Sequence, residues 1–199
     1  TQQKPVRSVV LKARQFGLST ATQALIFMLM LRQRHLNGCT VAHKSDATGN
    51  VHEMWKTFYS NMTHEPMLLK SNRQEVAFVS PFSCRMALDT AENDEVKRSF
   101  THQLIHASEV AFWPRAARTR LGLMQTIHEL PETMVVEEST ANGMGGEFYD
   151  LYWAAVKGKN DYRPMFYPWY KHDEYRLELT PGKARDIMRE LDKEEREGV

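Results

Sequence analysis

The sequence predicts an α/β domain with a mostly parallel central sheet flanked by helices. Three observations predict it. Short runs rich in β-branched residues alternate with longer segments of helical composition. Each β-rich run ends in a polar or glycine-bearing stretch, the place where such sheets bind ligands. No internal repeat and no low-complexity segment interrupts the alternation.

The first strand occupies residues 6–12 and is broken at Gln15–Gly17. A helix follows over 19–34, with Ser19 or Thr20 as its cap and Asn37-Gly38 as its stop. Residues 39–43 read as a second strand, and Ser45 or Asp46 can cap a helix reaching about Tyr59. Residues 75–79 and 84–88 form a β pair across Ser80-Pro81-Phe82. A further strand at 103–107 leads through Trp113-Pro114 to a helix over 116–130. A strand at 133–137, a glycine-rich loop, a helix from Glu147 to Lys157 and a last strand at 164–168 complete the order. The tail from Lys183 to Glu197 is a charge-mixed helical pattern with few apolar positions.

Composition narrows the function classes. The 199 residues are 42% hydrophobic and 26% charged, which suits a soluble globular domain with its own core. The longest apolar run, Ala24 to Leu31, is far short of the ~20 residues that span a bilayer. Cys39 and Cys84 make neither a metal nor a disulfide pattern. The net charge of +1 argues against a domain that grips DNA by itself, so any such contact is local or completed by other chains. Both ends read as cut, so the chain is expected to be a piece of a longer polypeptide.

Three strand ends carry candidate chemistry. In Lys12-Ala-Arg-Gln-Phe-Gly-Leu-Ser-Thr20 a glycine and two hydroxyls stand where a strand turns into a helix, the setting of a phosphate-binding loop. Gly17 lets backbone approach an anion, and Ser19 sits where such loops supply a hydroxyl to Mg²⁺. Leu18 occupies the place of the usual lysine, which leaves Lys12 and Arg14 as the cations for the β- and γ-phosphates. Leu104-Ile-His-Ala-Ser-Glu109 ends in a glutamate able to orient an attacking water. Ser108 stands where an aspartate usually holds Mg²⁺. Ser139, Thr140 and Asn142 offer hydrogen bonds that can sense a γ-phosphate, and the glycines at 143, 145 and 146 permit loop movement or a tight turn.

Taken in order, these segments resemble the large terminase subunits of tailed phages. The resemblance is carried by residues 12–20, Thr90-Ala-Glu92, His106-Ala-Ser-Glu-Val-Ala-Phe-Trp-Pro114, Glu138-Ser-Thr-Ala-Asn-Gly-Met-Gly-Gly-Glu-Phe-Tyr149 and Phe166-Tyr-Pro-Trp-Tyr170. It implies a RecA-like P-loop ATPase core over 1–175 and a C-terminal helix or linker over 176–199, leading toward a nuclease domain that these residues do not include. It implies that Lys12 and Arg14 contact phosphates, with Gln15, Phe16, Gly17, Leu18, Ser19 and Thr20 completing the ATP site. Lys12, Arg14 and Glu109 are then catalytic, Ser19 and Ser108 are the Mg²⁺ side of the site, and Ser139-Thr140-Ala141 with Asn142 forms the coupling motif. The implied activity is ATP hydrolysis that drives double-stranded DNA into a procapsid. The implied partners are the portal protein, the small terminase subunit and further copies in a ring, in the cytoplasm of an infected bacterium and away from membranes. A docking module with a degraded phosphate loop and a helicase-like ATPase are the alternatives. Arg85, Arg98, Arg115 and Arg118 are candidates for an arginine acting on a neighbouring subunit, with a solvated arginine as the simpler reading of each. Trp113, Trp153 and Trp169 read as core packing, as does the Phe27-Met-Leu-Met-Leu31 face.

Overall fold

The computed structural model describes residues 4–93, 100–175, 178 and 180–197. The chain divides into two units after Tyr167. The second unit holds two short 3-10 turns and the helix α5 (Pro181–Glu197).

The first unit is a mixed α/β layer structure around an eight-stranded sheet. Its elements are β1 (Val6–Lys12), α1 (Leu18–Arg32), β2 (Asn37–Ala42), α2 (Ser45–Ser60), β3 (Leu68–Asn72), β4 (Glu75–Phe78), β5 (Arg85–Thr90), β6 (Leu104–Ser108), α3 (Ala116–Met124), β7 (Met134–Ser139), α4 (Glu147–Val156) and β8 (Arg163–Tyr167). The strand order is β3-β4-β5-β2-β6-β7-β1-β8. From β5 to β8 all pairings are parallel, and only β3 and β4 run against their neighbours. Central strands covered on both faces must be apolar on both, and β1, β2, β6 and β7 are buried almost throughout.

Side-chain alternation sorts the core into two halves. Met86, Leu88, Leu104 and Met134 pack with Ile26, Phe27, Met30, Val51 and Trp55, so α1 and α2 cover that face. Val9, Cys39, Val41, Ile105 and Val135 pack with Leu123, Phe148, Leu151 and Tyr152, so α3 and α4 cover the other. The strand order of the sheet places β6, β7 and β1 side by side, and because they run parallel their carboxyl ends open on one edge.

The structure corrects several local expectations. Helix α1 begins on Gly17, in the left-handed region at φ 69°, and no side chain caps it, because Ser19 turns inward instead. No side chain caps α2 either, whose N-cap is Lys44. Asn37 and Gly38 do not stop α1; they open β2, where the Asn37 amide donates to Gln103 Oε1 at 2.8 Å. The turn between them is made by His35 at φ 61°, whose amide donates to Phe82 O. Helix α3 stops at Met124, not 130, because Thr126 donates through its amide and its hydroxyl to Leu123 O and swings Ile127 beside His102. Trp113 is buried as expected, but Trp153 and Trp169 are exposed, and Met28 faces outward from α1. Strand β3 carries no alternation to read, since it is a solvent-facing edge strand held by backbone pairing to β4.

Candidate functional site

Three strand ends converge on one cluster of charges. Lys12 closes β1, Glu109 follows β6, and Glu138 and Ser139 close β7. The register sets Ser139 beside Leu11 and Ser108 beside Glu138. Lys12 Nζ donates to Glu109 Oε1 at 2.9 Å and stands 4.0 Å from Glu138 Oε2. Lys12 is buried, so its ammonium depends on these carboxylates.

Glu109 occupies the left-handed backbone region at φ 56°, unfavourable for a residue with a side chain. Its second oxygen accepts from the Thr140 amide at 3.0 Å, the Thr140 hydroxyl at 3.1 Å and the Ser139 hydroxyl at 3.3 Å. Ser139 Oγ in turn accepts from the Ala111 amide, and Asn142 Nδ2 donates to Ala111 O. Burial pushes the Glu109 carboxyl up, but the Thr140 amide and Lys12 outweigh it and hold the group below the usual carboxylate range. Glu109 is therefore an oriented carboxylate, tied to the β7 loop through one oxygen and to Lys12 through the other.

Glu138 lies deeper and is fully buried. Its Oε1 accepts from Ser19, from Ser108 at 3.2 Å and from His106 Nε2 at 3.1 Å. A chain of hydrogen bonds fixes the proton on that imidazole. Trp55 Nε1 can only donate, and it donates to Gln23 Oε1 at 2.7 Å. The Gln23 amide nitrogen is thereby turned toward Thr40 Oγ1 and His106 Nδ1, at 2.9 and 2.6 Å. Nδ1 must accept, so Nε2 carries the proton toward Glu138. Burial raises the Glu138 carboxyl, yet the His106 hydrogen bond, Lys12 and Ser19 hold it below the ordinary range. Two ionised carboxylates thus share one ammonium.

No protein-family profile and no curated protein matches the sequence. Solved structures do match. The large terminase ATPase domain of Thermus phage P74-26 superposes with a TM-score of 0.60 over 85% of this chain and 80% of its own, at 15% identity. The large terminase from a second, thermophilic bacteriophage matches with a TM-score of 0.63 and 11% identity, covering 94% of this chain and 45% of its own. The HK97 large terminase matches at 0.57 and 15% identity, over 96% and 43%.

The chain has the fold of a phage large-terminase ATPase domain.

On this terminase fold the expected site residues fall out as follows. Lys12, Ser19, Ser108, Glu109, Ser139 and Thr140 come together in the cluster. Arg14, Gln15, Phe16, Gly17 and Leu18 lie in the β1–α1 turn and the first residue of α1, where Gln15 at φ 54° and Gly17 at φ 69° bend the backbone. Phe16 packs at 5.6 Å against the Tyr167 ring at the end of β8. Thr20 is turned away and lies 3.8 Å from Met54 Sδ on the exposed surface. Ala141 and Asn142 are exposed beyond the cluster. Arg85 pairs with Glu75 and lies 4.4 Å over the Phe100 ring, and Arg98 lies outside the described residues.

Sequence reasoning missed Glu138, His106 and Gln23 as site residues. A signal was available for the first. Adjacent glutamates in a strand covered on both faces must point to opposite sides, and each then needs its own buried partner. Glu137 finds Arg120 at 2.8 Å, and Glu138 finds the strand-end cluster. The oxygens of Ser19, Ser108 and Glu138 are the hard donors that magnesium takes, in the sparse number it uses when phosphates and water complete its shell. Among the described residues no three His, Cys, Asp or Glu side chains gather as a complete protein cage.

Proposed function

We propose that this chain is the ATP-hydrolysing part of a phage large terminase, which couples hydrolysis to the movement of double-stranded DNA into a procapsid. The observation that carries this reading is the convergence of Lys12, Glu109, Ser19 and Glu138 at the carboxyl ends of adjacent parallel strands. The thermophilic-bacteriophage large terminase of like fold has been solved with ADP and with ATP-γ-S, which supports nucleotide binding as the reading of this chain.

The residues divide the work. Amides of the β1–α1 turn and the start of α1 face the phosphates, where the helix dipole favours an anion. Lys12, freed from Glu109, and Arg14 supply the positive charge that Leu18 cannot. Ser19 and Ser108 would form the magnesium side of the site, where a bound ion would neutralise phosphate charge. Glu109 orients water in line with the γ-phosphorus and accepts its proton. The new bond forms from water oxygen to phosphorus, the bond to the β-phosphate oxygen breaks, and ADP leaves with the charge. Because Glu109 also accepts from Ser139 and Thr140, any shift of its carboxylate toward water is felt in the loop after β7, which serves as the coupling element. Portal protein, small terminase subunit and further copies in a ring are the partners proposed, in the cytoplasm of an infected cell. Among the described residues no helix is long and apolar enough to cross a membrane.

Steady-state phosphate release by the complete protein on DNA tests the assignment. Glu109→Gln keeps the shape of the side chain and removes the proton acceptor, so the rate should fall about 10²- to 10⁴-fold. Equal release by variant and wild type would remove Glu109 from the chemistry.

A further inference from the structure

Ser108 brings a neutral hydroxyl to a position beside the phosphate loop where metal chemistry favours a carboxylate, and the structure supplies the missing charge one strand away. Ser108 on β6 is in register with Glu138 on β7, and their side chains meet at 3.2 Å. Glu138 Oε1 is bonded by Ser19, Ser108 and His106. Its Oε2 has no hydrogen-bond partner although the residue is fully buried. An ionised oxygen left in that state is costly unless a cation completes it. Lys12 shares its charge with that oxygen from 4.0 Å but gives its hydrogen bond to Glu109, so Oε2 keeps a lone pair that a second cation can take.

Resting on the ATPase reading above, we propose that Glu138 is the magnesium-directed carboxylate of this protein, in place of an acid on β6. Ser108 and Glu138 form a matched pair. An aspartate at 108 would face Glu138 across adjacent strands, two like charges in a buried site, and one of them would be forced to keep its proton. A serine there removes the repulsion and donates to the remaining carboxylate. The hydrogen-bond chain Trp55–Gln23–His106 then positions Glu138, since the imidazole can only present Nε2–H to it. The charge balance points the same way. Glu109 and Glu138 against Lys12 give the cluster one net negative charge, unsuited to a triphosphate until a divalent ion is added.

The test is Mn²⁺ binding to the complete protein, read by electron paramagnetic resonance with a non-hydrolysable ATP analogue, beside analogue binding in excess chelator. Glu138→Gln should weaken Mn²⁺ by about 10- to 100-fold, while analogue binding in excess chelator becomes no weaker than in wild type, because one opposing charge is gone. Ser108→Asp/Glu138→Gln, which moves the carboxylate to β6, should recover most of the loss, and it serves as the decisive variant if Glu138→Gln alone does not fold. Mn²⁺ affinity unchanged in Glu138→Gln, or the double variant binding Mn²⁺ more than tenfold below wild type, would overturn the assignment. Failure of wild type to bind the analogue with Mn²⁺ would instead remove the ATPase reading on which it rests.

Discussion

At the scale of single residues, burial decides which titrating groups matter. His102 lies just before β6 with almost no exposed surface. Thr126 donates its hydroxyl to Leu123 O and therefore accepts from His102 Nδ1 at 2.9 Å. The neutral ring is satisfied in this way, and a second proton would sit on a buried Nε2. Burial accordingly lowers its pKa from 6.5 to about 4. Below about pH 6.5 the unfolded chain takes up a proton that the native ring refuses, so stability falls as the pH drops toward 4 and is fully present above 6.5. The loss available from this group is about 3 kcal/mol. Urea melts at pH 7.5 and 5.0 should show it, and His102→Asn, which keeps a donor toward Thr126 but cannot titrate, should reduce the difference between the two. An unchanged difference would mean that other groups carry the pH dependence.

At the scale of elements, β7 does two jobs through one pair of glutamates. Glu138 belongs to the strand-end cluster on the α1 side, whereas Glu137, fully buried on the other face, is held by Arg120 of α3. Arg120 also reaches Glu147 at the start of α4, at 3.0 Å, so one guanidinium ties β7, α3 and α4 together. Arg120→Met leaves a buried carboxylate without its cation and should cost about 3–5 kcal/mol. Arg120→Met/Glu137→Met removes both charges and should recover much of that loss, because a buried ion pair contributes little over apolar packing while half of one is expensive. Chemical denaturation of the two variants decides it, and a double variant no more stable than the single would contradict the account. The same strand shows what the sequence discloses. Buried parallel strands announce themselves as apolar runs, which is why β1, β2, β6 and β7 and the convergence of their ends were legible. Strand β3 and the end of α3 were not, because backbone pairing at an edge and a local Thr126 bond leave no periodicity. The hydroxyls and Glu109 of the site were legible from their positions at strand ends. Glu138, His106 and Gln23 were not, since their roles depend on which residues lie opposite across strands far apart in the chain.

At the scale of the whole molecule, the net charge of +1 provides little long-range attraction for an anion, so on the proposed ATPase reading nucleotide binding would depend on the local charges at the strand ends. In the structure Lys12 is engaged by Glu109, and a triphosphate bound as proposed would have to take that ammonium over. A ligand that binds only the folded chain stabilises it by mass action, about 2.7 kcal/mol when present at a hundred times its dissociation constant. For a domain of this size that corresponds to roughly 5–10 °C in Tm. Mg-ADP should therefore raise the melting temperature of the complete protein by that order, and scanning fluorimetry measures it directly. Lys12→Met separates two effects in the same experiment. It leaves Glu109 and Glu138 without their shared cation and should lower the unliganded Tm, since an uncompensated buried charge is destabilising by about 3 kcal/mol. It should also abolish the upward shift, because the phosphates lose the ammonium that Glu109 releases. A Lys12→Met protein that melts lower but still gains the full increment from Mg-ADP would show that Lys12 serves the fold and not the nucleotide, and the phosphate-binding role would then pass to Arg14.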